Sequence, residues 1–135
     1  MIASPNPPSY FPAHMSLNPA WRHTLTHLIV VSPFNDNTPQ NLIKAVYMDI
    51  THKKTEALRR LEPESGAYFN EADSYEPEWQ QAFWGEGYED LKLLKKEIDP
   101  QSLLWCRRCV GSEDLVERGD GGLCRVGRRE EHDEL

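Results

Sequence analysis

The chain has 135 residues, 39% of them hydrophobic, and a formal net charge of −7. That length allows one domain with one core, the acidic balance argues against the basic stripe of a nucleic-acid partner, and no apolar run approaches the ~18–20 residues of a membrane span. The apolar share is below the ~45–50% usual for globular chains, and much of the polar excess lies at the two ends.

Residues 1–20 hold five of the ten prolines. Pro5, Pro7, Pro8, Pro12 and Pro19 oppose both helix and central strand, so the composition predicts a Pro-rich arm without order. No basic stretch followed by an apolar run of ~7–15 residues opens the chain, and no secretory signal is expected. Residues 21–31, WRHTLTHLIVV, read as a strand. Trp21, His23, Leu25, His27 and Ile29 would share one face. His23 and His27 would stand ~13 Å apart on it, too far to share a metal ion. They read as hydrogen-bonded histidines of a sheet.

Residues 32–38, SPFNDNT, carry turn chemistry. Thr38 is expected to cap a helix, with Pro39 at its first position. Leu42, Ile43, Val46, Tyr47, Ile50, Ala57, Leu58 and Leu61 follow helical spacing, with a gap near Lys53 and Lys54. This helix should cover one face of a sheet. Pro63 ends it.

Residues 66–111 hold eight of the thirteen aromatics, and so supply much of the core. Within them, AYFN reads as a short extended segment with Tyr68 and Asn70. Pro77 is expected to open a helix with Trp79, Phe83 and Trp84 on its apolar side. Gly85 and Gly87 interrupt it, and a second helix resumes with Tyr88, Leu91, Leu94 and Ile98. Asp99 and Pro100 stop that helix. SLLWCRRCV reads as a last short strand. Residues 112–135 hold eight acids, four arginines and four glycines, which predicts a polar tail, largely disordered.

Three cysteines, an odd count, cannot complete a disulfide framework within one chain. Cys106 and Cys109 form a C-x-x-C with two arginines between them, which would favour a thiolate. The βαβ context of a thioredoxin-like motif is absent. Adding Cys124 and His132 gives no tight second pair of the kind zinc sites use. The expectation is no metal, and buried or partly paired thiols. The chain ends HDEL, an ER-retention address, although a chain expected to lack a signal would not reach a lumenal receptor.

The stretch GAYFNEADSYEPEWQQAFWG resembles one found in fungal berberine-bridge-enzyme-like, FAD-linked oxidoreductases. Gly85, Tyr88, Leu91, Lys95, Asp99 and Pro100, then Leu103, Leu104 and Trp105, are similar in spacing to the helix and strand that follow it there. VGSED, GLCRV and the upstream FPAHMSLNPAWRHTLTHLIV also look like this family. The resemblance covers about residues 10–126.

It implies an α+β fragment of a two-domain flavoprotein. The parts would be the Pro-rich arm 1–20, a substrate-domain strand and helix over 21–65, the berberine-type C-terminal segment over 66–111, and the tail 112–135. It also implies FAD as cofactor, a small-molecule substrate such as an alcohol, sugar or secondary metabolite, and oxygen as acceptor. Tyr68 and Asn70 match residues beside the flavin ring. Many relatives carry a tyrosine base directly after that asparagine, where this chain has Glu71. A phenolate, with a reference pKa of about 10, is a far stronger base than a carboxylate at about 4.3, so Tyr68 is the better candidate for proton handling and Glu71 would need burial. No Gly-rich strand-to-helix turn is present to cradle a pyrophosphate. The chain alone is therefore expected not to bind FAD tightly or to be active. The missing flavin domain is a possible partner, and a non-catalytic interaction role is the alternative. The family is largely secretory.

Overall fold

A computed structural model describes the backbone of β1 (Ile2–Ala3) and all of residues 15–126. HDEL at 132–135 and most of the Pro-rich arm lie outside the described residues. The chain divides into two compact units, one ending at Glu89 and the other starting at Asp90. Helices and short antiparallel strand pairs occur in both, an α+β composition.

The first unit carries β1, β2 (Thr26–His27), α1 (Gln40–Asp49), α2 (Thr55–Leu61) and α3 (Trp79–Trp84). β1 and β2 are antiparallel, with Ile2 opposite His27 and Ala3 opposite Thr26. The expected strand over 21–31 is thus realised as a ladder at two residues only. Its start is instead a 3-10 turn, Pro19–Arg22. Leu28, Ile29, Val30 and Val31 follow outside any ladder and are exposed. β-branched residues favour an extended backbone, but a ladder needs a neighbouring strand as well.

Asn18 organises the entry to this turn, inside the segment read as an arm. Its side chain accepts from the Ala20 N–H at 2.9 Å and donates to the carbonyls of Ala82 at 2.9 Å and Gln81 at 3.2 Å. The side chain is buried and satisfied, so it ties the N-terminal turn to the end of α3. Asn18 followed by Pro19 is itself an N-cap signature.

Helix α1 starts one residue later than expected. Pro39 is the cap, and its carbonyl accepts from the Leu42 and Ile43 N–H groups. The Thr38 N–H is already used in a turn, donating to the Asn35 carbonyl. The gap in apolar spacing coincides with a π-helical turn, Ile50–Lys54, where the Thr55 N–H reaches the Ile50 carbonyl. Thr51, fully buried, donates its hydroxyl to Asp73. Arg59 on α2 donates to both oxygens of buried Glu76, at 2.8 and 2.9 Å, and to the Thr51 carbonyl at 2.7 Å.

Trp79, Phe83 and Tyr88 are the buried apolar core of the described residues. Trp79 meets Tyr88 edge to face at 5.5 Å. Phe69 packs on Phe83 and Trp84, each at 5.6 Å. Pro77 lies in the turn before α3, which starts at Trp79. Gly85 has φ +61°, and an added Cβ would lie 2.9 Å from Pro19 Cδ and 3.0 Å from Asn18 Oδ1. Gly85→Ala is therefore expected to cost about 1–3 kcal/mol from backbone strain, plus displacement of Asn18. A urea unfolding midpoint unchanged from the parent chain would contradict this.

A 3-10 turn, Gly85–Gly87, leads into α4 (Tyr88–Ile98), and the helix ends there as expected. Beyond it, the expected strand over 102–110 is absent. Ser102 and Arg108 adopt φ +56° and +62°, which a strand cannot accommodate. The Asp99 carboxylate captures the Leu103 and Leu104 N–H groups at 2.8 and 2.9 Å, and pairs with Lys95 at 2.6 Å. Lys92 pairs with Glu113 at 2.6 Å and Asp114 at 3.0 Å.

Order also extends into the segment read as a tail. β3 (Leu115–Glu117) and β4 (Leu123–Arg125) form an antiparallel hairpin, with Val116 opposite Cys124. Turn chemistry explains it. Gly121 has φ +85°, the Gly122 N–H donates to Asp120 at 3.0 Å, and the Arg118 N–H donates to the Gly122 carbonyl at 2.7 Å.

Lys95 first, with the Leu104 and Leu103 amides, holds the Asp99 carboxyl down to about 2, against an ordinary 3.8. A depressed folded value stabilises above the unfolded value and loses that contribution as pH falls. Stability is expected to fall between about pH 4 and pH 2, and Asp99→Asn to flatten that part of the profile. Urea midpoints measured at half-unit pH steps check this; an equal slope in the variant would count against it.

Candidate functional site

The site is built on the turn that starts at Tyr68. The Ala67 N–H donates to the Ala82 carbonyl at 2.7 Å, which fixes the strand-like approach against the end of α3. Tyr68 then opens a 3-10 turn, Phe69–Glu71, where the sequence suggested an extended segment. The turn drives Phe69 inward against Phe83 and Trp84. Its neighbours Tyr68 and Asn70 stay at the surface, and Tyr68 is 43% exposed.

Asn70 Nδ2 donates to the Tyr68 hydroxyl oxygen at 2.8 Å. This bond fixes the hydroxyl and leaves its own proton to be given elsewhere. The amide retains a second N–H and its carbonyl. Glu71 joins the turn through its backbone N–H, which donates to the Tyr68 carbonyl at 3.0 Å, while its side chain is exposed. The structure thus brings Tyr68 and Asn70 together at their side chains, and Glu71 to them only through the backbone.

Two residues read as members of a strand face also belong here. Trp21 and His27 meet edge to face at 5.3 Å, and each meets the Tyr68 ring, at 6.5 and 6.4 Å. Together they back the tyrosine with an aromatic wall. Their shared period-2 face was the one sequence signal that grouped them. His23 is exposed at the end of the 3-10 turn, so the two histidines do different things.

Cys106 and Cys109 are joined as a disulfide, and Cys124 is outside it. Among the described residues, no group of three or more His, Cys, Asp or Glu side chains is placed to hold a metal ion. No helix among them is long and apolar enough to cross a membrane.

Residues 67–110, which contain this turn and α3 and α4, match the family model described as berberine and berberine like. Over those residues the chain is berberine-like. Its berberine-like relatives include the FAD-linked oxidoreductase patO of Aspergillus clavatus, 36% identical over 82% of this chain and 19% of the relative. Another is the FAD-linked oxidoreductase ZEB1 of Gibberella zeae, 37% identical over 84% of this chain and 20% of the relative. Among solved structures, the VAO-type flavoprotein MtVAO713 from Myceliophthora thermophila C1 is similar with a TM-score of 0.70 and 37% identity, over 82% of this chain and 19% of that one. MtVAO615 from the same organism has a TM-score of 0.72 at 26% identity, over 82% of this chain and 20% of that one. This berberine-like chain therefore spans about a fifth of the length of the curated relatives it matches. That agrees with its reading as part of a two-domain flavoprotein.

The berberine-like segment suits one part of a flavin better than another. Tyr68 and Asn70 present a phenol and an amide at the surface, groups that match the carbonyls and nitrogens of a flavin ring edge. The glycine-rich run Gly119, Gly121 and Gly122 lies in the β3–β4 hairpin, not ahead of a helix. That run does not form the strand-to-helix turn that cradles a pyrophosphate.

Proposed function

We propose that this chain forms one wall of the flavin site in an FAD-linked oxidoreductase that oxidises a small molecule such as an alcohol, sugar or secondary metabolite, with oxygen as acceptor. The observation that carries this reading is the hydrogen-bonded Tyr68 and Asn70 pair, surface-exposed inside the matched segment 67–110. Bound FAD would supply the hydride acceptor. Asn70 would orient the ring through its amide, and Tyr68 would hold or move the substrate proton at its hydroxyl oxygen. Glu71 could share that proton only if a further part of the protein buried its carboxyl. Trp21 and His27 would keep the Tyr68 ring in place. The flavin domain is the partner this reading requires, and the chain alone is expected to be inactive.

Riboflavin tests the wall apart from the phosphates. Adding it to the purified chain is expected to shift the Asn70 side-chain amide and Tyr68 ring signals in NMR spectra, with weak affinity. FAD should bind no tighter than riboflavin. Shifts confined to other residues would sink the reading of the wall, and micromolar FAD binding would sink the claim that the phosphates need another domain.

A second reading, a non-catalytic interaction protein, is favoured by the exposed apolar run Leu28, Ile29, Val30 and Val31. A segment of this kind can add to a partner's sheet. Isolation of the native protein as a flavin-free complex would support it.

A further inference from the structure

The C-x-x-C of the second unit carries an inference that does not rest on the flavin reading. Cys106 and Cys109 are three residues apart, with Cα atoms 5.3 Å from each other. Cys106 is exposed and Cys109 half-buried. So short a loop restrains the unfolded chain little, which leaves the oxidised form weakly favoured. Arg107 and Arg108 lie between the two cysteines in sequence, and nearby cationic side chains favour thiolates, although the Arg107 guanidinium is held by Glu117 at 2.6 Å. Arg108 also sits at φ +62°, a conformation that penalises a side chain and that opening the loop would relieve.

We propose that this disulfide is a thiol–disulfide exchange site for small thiols of the glutathione class, and that its state sets the order of the turn Ser112–Asp114. The clasp is linked to that turn by hydrogen bonds. The Cys109 N–H donates to the Cys106 carbonyl at 3.1 Å, and the Ser112 N–H to the Cys109 carbonyl at 3.0 Å. Trp105 Nε1 donates to the Ser112 carbonyl at 3.4 Å, and Ser112 is buried. Glu113 and Asp114 follow directly and hold Lys92.

The exchange balances as follows. A small thiolate attacks the exposed Cys106 sulfur, forming a mixed disulfide as the bond to Cys109 breaks. Cys109 leaves as a thiolate with the electron pair and takes a proton from solvent. A second thiolate attacks the small-molecule sulfur of the mixed disulfide. It releases Cys106 as a thiolate, which is protonated in turn, and a symmetrical small-molecule disulfide. Two thiols are oxidised and one protein disulfide is reduced, a transfer of two electrons.

The test incubates the native full chain in buffers of varied reduced and oxidised glutathione, quenches with acid, alkylates, and reads intact and peptide masses. Cys124, outside the disulfide, carries one alkyl group or, in oxidising buffers, one glutathione, and the peptide masses separate it from the pair. The expected result is two further groups, on Cys106 and Cys109, appearing as the buffer becomes reducing while the first unit's amide signals stay folded. The amides of residues 112–114 should shift at the same midpoint. Arg108→Gly removes the backbone penalty of the closed loop and should require about fivefold more reduced glutathione. Reduction only in denaturant, a third alkyl group under oxidising conditions, unmoved 112–114 amides, or an Arg108→Gly midpoint equal to that of the parent would each overturn the proposal.

Discussion

Trp79→Ala is expected to remove about 3–5 kcal/mol of stability, the usual cost of truncating a buried large aromatic. Trp79 is only 4% exposed and meets Tyr88 edge to face. With Phe83 it forms most of the apolar core of the described residues, so there is little else to collapse into the cavity. Small proteins have about 5–15 kcal/mol in all, and the variant should be largely unfolded at moderate temperature. Trp79→Phe, which keeps an aromatic, should lose much less. Urea unfolding followed by circular dichroism measures both. Equal midpoints for the alanine variant and the parent would show that this aromatic cluster is not the core.

Glu76→Ala is expected to cost about 3 kcal/mol. Glu76 is buried and takes two bonds from one Arg59 nitrogen. Removing one partner of a buried pair leaves the other charge uncompensated, typically worth about 3–5 kcal/mol. Arg59 is partly exposed, which places the cost at the lower end. The loss should come mainly from the Arg59 Nη1 left facing the buried gap, since Glu56 and the Thr51 carbonyl engage the other two nitrogens. A double change, Arg59→Met with Glu76→Leu, should recover most of the stability. If the double variant is as unstable as Glu76→Ala, the pair itself, and not the stranded charge, carries the energy.

The helices were legible because their signals are local. Trp79 with Phe83, and Tyr88 with Leu91, stand at helical spacing, Gly85 and Gly87 separate the two pairs, and Asp99 with Pro100 marks the end. The strands were not. Residues 21–31 have strand composition, yet only Thr26 and His27 find a ladder, because pairing depends on distant residues that composition does not reveal. The reading of 102–110 failed at Ser102 and Arg108, whose left-handed backbones follow from captured amides and the cysteine clasp. The hairpin after Ser112 was hidden by charge, although its Asp-Gly-Gly turn was in view. At the site, the family resemblance pointed to Tyr68 and Asn70, and the structure shows them hydrogen-bonded to each other. The wall of Trp21 and His27 comes from a contact across more than forty residues of sequence, which no local pattern carries.

The π-helical turn Ile50–Lys54 has a consequence for length variation in this region. Its wide turn takes up one residue more than an α-turn does. An α-helix turns by about 100° per residue, so one residue lost from a regular stretch would swing everything after it by about that angle. Lost from within 50–54, it would instead let the wide turn close as an α-turn. The Arg59 guanidinium would then keep most of its facing toward Glu76 and the Thr51 carbonyl. The bulge is the one place between α1 and α2 where the length can change by a residue while α2 keeps the same side toward the 73–76 turn.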